Sequence, residues 1–157
     1  MRTPSIVVII LVIFGIFAAS TAAQYTGDHA ERYQKALTEA AGLTSNAQIV
    51  QNEIQTQRSR FNQGMASRNL RDREQAKRVF LEYLGRLQRA LLAAQNAHNP
   101  AIYWGEKYAD SLRKVRSTSS QAPRVVTEVQ RLRNAQASLR GTERAIQQEA
   151  QNASKRR

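Results

Sequence analysis

Apolar side chains recur along most of this chain at alternating spacings of three and four residues, the mark of helices that pack through a seam. Counting from Tyr33, positions seven apart are Tyr33, Ala40, Ala47, Ile54 and Phe61. Three residues after each stand Ala36, Leu43, Val50, Gln57 and Gly64, and only Gln57 in this set is polar. The pattern predicts one long helix over 28–63. Asp28 followed by Glu31 gives it a variant capping box at its start. Gly42 and the Thr44-Ser45-Asn46 cluster are possible breaks, but the seam keeps its register across them.

Asn62 to Ser67, with Gly64 inside it, reads as a turn with Ser67 as N-cap. A second helix is predicted over 67–98. Its seam is Leu70, Phe80, Leu84, Leu87, Leu91 and Ala94, broadened by Ala76, Tyr83 and Ala90. Asn99-Pro100 reads as the N-cap and first position of a third helix, 100–117, which carries Trp104, Tyr108, Leu112 and Val115. Pro123 opens a fourth, 123–154, with a seam through Val125, Val129, Leu132, Gln136, Leu139, Glu143, Ile146, Ala150 and Ala153. Gln136 and Glu143 make that stripe wetter. Short turns make consecutive helices antiparallel. The expected fold is therefore all-α, an elongated antiparallel helical bundle or coiled coil over 28–157.

The first 27 residues differ in kind. No charged side chain occurs from Thr3 to Gly27, and Ile6 to Ala19 is continuously apolar apart from Gly15. As a helix, Ser5 to Ala23 runs about 28 Å, close to a hydrocarbon core of about 30 Å. This predicts an N-terminal transmembrane helix acting as a signal-anchor. The competing reading is a cleaved signal peptide, for which Arg2 supplies the charged start and Ser20 to Ala23 the small residues at the cleavage site. The very short segment before the apolar run suits insertion with the N-terminus inside, which places the body outside the cytoplasm.

Charge sharpens the picture. The 157 residues carry 24 Lys and Arg against 12 Asp and Glu, a net charge of +12. Residues 28–57 sum to −2 and residues 58–157 to +13, so the basic charge lies away from the apolar run. Such a body suits an anionic surface. The absence of Cys removes disulfides, thiolate chemistry and Cys-ligated metals. His29 and His98 are the only imidazoles; His98 is expected at a helix C-terminus, where the dipole favours it. Asp72 and Glu74, two apart, fall on different helix faces and do not form an acid–base pair. Asn152-Ala153-Ser154 matches the glycosylation sequon, which is read here as a chance match.

No catalytic, phosphate-binding or metal-binding motif is present, so no catalytic residue, cofactor or metal is expected. Trp104 and Tyr108 share a helix face at spacing four, which suits core packing at an end of the bundle; the competing role is a partner or glycan stacking site, for which Tyr103, Trp104 and Tyr108 are the candidate partner-binding residues. The expected function is a membrane-anchored, non-enzymatic, extracytoplasmic stalk, spacer or assembly partner of the cell envelope. The expected partners are a membrane crossed once, a protein or second copy held through helical seams, and an anionic surface; nucleic acid is disfavoured by the orientation. The alternative is a basic helical protein, secreted after signal cleavage, that binds a polyanion.

Overall fold

With only two prolines after residue 27 and Ala, Gln, Arg, Leu and Glu dominating, little interrupts helix propagation. The computed structural model describes residues 27–114 and 118–156. They form three α-helices: α1 (Gly27–Met65), α2 (Leu70–Lys114) and α3 (Ala122–Lys155). A 3-10 turn, Ser119–Gln121, precedes α3. Among the described residues there is no strand, and no helix is long and apolar enough to cross a membrane. The expected membrane or signal segment lies outside the described residues, as do Val115 and Ser117 of the expected third helix.

The helices run antiparallel in sequence order, with α2 in the middle. Both α1 and α3 pack along α2, and they meet each other chiefly through side chains. At 39 and 45 residues, α1 and α2 are about 58 and 67 Å long at 1.5 Å per residue, so the molecule is a rod.

Four helices were expected and three are found, because α2 runs straight through Pro100. The seam explains why. Phe80, Leu84, Leu87, Leu91, Ala94, His98, Ala101 and Gly105 alternate spacings of four and three without a slip and are all buried. A helix-interior proline removes the N–H that would bond the carbonyl four residues back. Here Pro100 and Asn96 both lie on the exposed face, where water can bond the freed carbonyl. On the core side, nearby carbonyls gain side-chain donors. His98 Nδ1 donates to the Ala94 carbonyl at 2.7 Å, and Gln136 Nε2 donates to the Gln95 carbonyl at 2.9 Å and to Asn99 Oδ1 at 2.7 Å.

Several local expectations are corrected in the same way. His98 is not at a helix end but in the middle of α2, 2% exposed. Leu70 was placed on the seam, yet it opens α2 and is 65% exposed. Ser67 is not the N-cap of α2. Asn69 is, its Oδ1 accepting the Arg71 N–H at 3.0 Å, while Ser67 Oγ takes the Asn69 N–H and donates to Asp72. Asp28 sits inside the first turn of α1 rather than before it and pairs with Arg32 at 2.9 Å. Gly64 is still helical, and α1 meets α2 there so closely that a Cβ on it would lie 2.2 Å from the Ala76 Cβ.

The core has two parts. One, near the start of α1, is built from Tyr33, Leu37, Leu112, Val129 and Leu132 with several alanines. The other holds Leu84, Leu87, Leu91, Leu139 and Ile146, and ends in Phe61 stacked on Phe80 at 4.6 Å. The polar seam residues of α3 face partners rather than apolar side chains: Gln136 is bonded as above, and Glu143 accepts from Gln95 Nε2 at 3.0 Å. Between α1 and α3, Arg58 grips Glu149 with two bonds of 2.6 Å each.

Leu87 is fully buried, so Leu87→Ala should cost about 2–5 kcal/mol of unfolding free energy. Pro100→Ala should instead raise stability, by up to about 3 kcal/mol. A turn at residue 100 would gain nothing from that change. Urea unfolding of both variants, followed by circular dichroism, separates the two cases.

Candidate functional site

The three aromatic candidates fall near one end of the rod, where the last third of α2 passes the first two turns of α1. Gly105 makes this possible. A Cβ there would lie 2.5 Å from Val129 Cγ2 and 2.8 Å from Tyr33 Cε2, so only glycine lets Tyr33 lie flat across α2. Tyr33 is 2% exposed, and its hydroxyl donates to Glu128 Oε2 on α3 at 3.1 Å. That bond ties all three helices together at one level. Burial first, and the Glu128 charge next, push the Tyr33 hydroxyl far above its usual range. Burial likewise raises the Glu128 carboxyl, while the Tyr33 hydroxyl pulls it back.

Around this level lies a collar of rings and cations. Trp104 is half-buried against the core. The Arg32 guanidinium sits 4.7 Å from its ring centroid, His29 is at 5.9 Å, and Tyr103 meets it edge-on at 5.0 Å. Tyr108 packs beside Tyr33 at 6.1 Å. Tyr103 is 51% exposed, with Lys107 Nζ at 5.6 Å from its ring. The structure therefore brings Tyr103, Trp104 and Tyr108 together, but in two roles. Trp104 and Tyr108 buttress the core, and Tyr103 faces outward. Sequence reasoning missed their partners on α1: His29, Arg32 and Tyr33. Their signal was the antiparallel pairing itself, which sets the start of α1 beside residues 104–108.

Among the described residues no three His, Cys, Asp or Glu side chains lie close enough to hold a metal ion. Since a carbonyl only accepts, His98 carries its proton on Nδ1, and burial lowers its pKa. On the opposite half, the Tyr83 hydroxyl contacts the Val50 carbonyl at 3.0 Å and the Glu53 carboxylate. Burial and Glu53 push its pKa up to about 12. A cleft of about 300 Å³ opens between α1 and α2 over Phe61 and Phe80. Its one carboxylate, Asp72, accepts a bond from the Ser67 hydroxyl at 2.9 Å. No protein-family model matches the chain, and comparisons with curated proteins and with solved structures give no match either.

Gly105→Ala should destabilise the body by about 1–3 kcal/mol, the usual range for overpacking, as measured by thermal melting. The pH dependence follows from two groups. An unfolded chain protonates His98 below about pH 6.5 while the fold keeps it neutral, so its contribution to stability is lost as pH falls below that value. His98→Gln should flatten this acid limb in urea titrations at stepped pH. At the alkaline end, unfolded tyrosine ionises near pH 10 while the fold keeps the Tyr83 proton up to about pH 12. Stability should therefore decline as pH rises between those values.

Proposed function

We infer that this chain is a membrane-anchored, non-enzymatic helical stalk of the cell envelope, with its body outside the cytoplasm, that serves as a spacer or assembly partner. The observation that carries this reading is the place of the aromatic collar. Gln24 to Thr26 alone separate Ser5 to Ala23, the stretch expected to span the bilayer, from the start of α1. The collar of Tyr103, Trp104 and Tyr108, with Arg32 and Lys107, lies beside the first turns of that helix. Trp and Tyr favour the membrane–water interface, where an apolar ring and a polar edge are both satisfied, and Arg and Lys reach the headgroups beside them. A rod with this collar beside its apolar segment is suited to standing on a bilayer. Its length then sets how far the other end reaches.

The runner-up, a secreted basic protein that binds a polyanion after signal cleavage, draws support from the cations at the far end of the rod. A wash in 1 M salt together with the mass of the N-terminus decides between them. Salt at that strength screens surface attraction within about 3 Å, so charge alone cannot hold the body on lipid. The stalk reading expects the intact chain to stay in the membrane fraction. A released species beginning near Ala23 or Gln24 would sink it.

A further inference from the structure

The end of the rod remote from the collar is formed by the last turns of α1, the turn at 66–69, the start of α2 and the end of α3. Taken over residues 58–78 and 149–156, it carries nine basic and three acidic residues, a net charge of +6. The collar end, over residues 27–36, 103–114 and 118–128, sums to +1. Ion pairing follows the same division. Asp28, Glu106 and Asp110 each hold an arginine at the collar end, whereas at the far tip Glu149 is matched to Arg58. Arg60, Arg68, Arg71, Arg78 and Lys155 are exposed and make no ion pair among the described residues. The end of α3 is fixed among them: Lys77 Nζ donates to the Arg156 carbonyl at 2.9 Å, and Arg156 reaches Asn62 at 3.2 Å.

Exposed apolar side chains stand in and beside this basic field. Leu70, between Arg68 and Arg71, is the most exposed large hydrophobic residue among those described, at 65%, and Val79, beside Arg78, is 47% exposed. Cations alone fit any polyanion, but an apolar side chain gains from contact only where the partner also offers apolar surface. A polyphosphate or an acidic polysaccharide offers none, while a bilayer offers headgroup phosphates over a hydrocarbon core. We propose that the tip formed by Arg60, Arg68, Leu70, Arg71, Arg78 and Lys155 docks on an anionic lipid surface. The length of α1 puts the tip about 58 Å from the start of the rod, many times the screening length of about 8 Å in physiological salt. The surface it meets is therefore not the patch of bilayer at the foot of an upright rod.

The test uses the full chain in nanodiscs of phosphatidylcholine, mixed with vesicles of phosphatidylcholine alone or with phosphatidylglycerol added, and reads co-flotation. If the chain does not enter the nanodiscs, the anchor reading fails on its own, and the same vesicles are offered to the soluble chain. Capture of the phosphatidylglycerol vesicles alone is expected. The triple change Arg68→Glu, Arg71→Glu and Arg78→Glu should weaken capture by at least about tenfold. A charge-matched control at the other end, Lys35→Glu, Lys114→Glu and Arg124→Glu, should not. All six side chains are exposed, and unchanged circular dichroism verifies the fold. Leu70→Ser should also weaken capture. Equal loss in both triple variants, or no capture of anionic vesicles, would overturn the proposal. So would capture of short duplex DNA as strong as that of vesicles with Leu70→Ser indifferent, which would make the tip a polyphosphate site.

Discussion

A helix that packs against two others at once must bury a stripe wide enough for both, and α2 alone in this chain has one. One flank of it faces α1, where Tyr83 reaches the Val50 carbonyl and Glu53. The other faces α3, where Gln95 reaches Glu143 and meets Gln136. Because α1 and α3 lie on opposite flanks, they touch chiefly by long reaches such as Arg58 to Glu149 and Tyr33 to Glu128. Were α2 to break, neither neighbour would retain a partner. This is why Pro100 is borne on the exposed face, where the freed carbonyl is open to water.

The two halves of α2 use that stripe differently. Leu84, Leu87 and Leu91 fill the space between the helices with volume. Beyond Ala94 small residues predominate: Ala97, Ala101, Gly105 and Ala109 are all buried, with His98 and Leu112 as larger buried neighbours. Small residues let the backbones approach, and the volume is supplied from the other side by Tyr33, Val129 and Leu132. Gly105 is the extreme case, since no side chain fits under Tyr33. The rings displaced from that seam, Trp104 and Tyr108, turn to its flanks and form the collar.

Much of this was legible in the spacing of apolar residues. The ten seam positions of α1 are buried or partly buried without exception, and Gly42 does not interrupt the helix because the seam crosses it in register. The same reasoning, applied to His98 and Ala101, would have carried α2 across Pro100. There the proline's preference for a first turn was given more weight than the unbroken spacing. Leu70 was misplaced because periodicity cannot tell whether an apolar residue at a helix end has anything opposite it. The collar was half legible. Spacing put Trp104 and Tyr108 on one face, but their meeting with His29, Arg32 and Tyr33 depends on how far α1 slides along α2, which the Gly105–Tyr33 fit sets.

The placement of charge is not what folding alone would select. Arg71 and Arg73 lie in the opening turns of α2, where the positive end of the helix dipole disfavours cations, commonly by about 0.3–1 kcal/mol each. Arg68 stands just before them. Asp72 and Glu74 stand in the same turns and suit that end, as Asp28 does in the first turn of α1, where it pairs with Arg32. So both helix starts carry an acid that suits the dipole, but at the tip cations outnumber acids by nine to three. Exposed cations such as Arg68 and Arg71, which make no ion pair among the described residues, are the kind of departure expected where a surface is shaped by what it meets rather than by the fold. The cations at the tip and the exposed Leu70 both depart from the optimum for a free surface, in different chemical terms, at one place. Their coincidence is what singles out the tip, rather than the net charge of the whole chain, as the part of the rod that faces a partner.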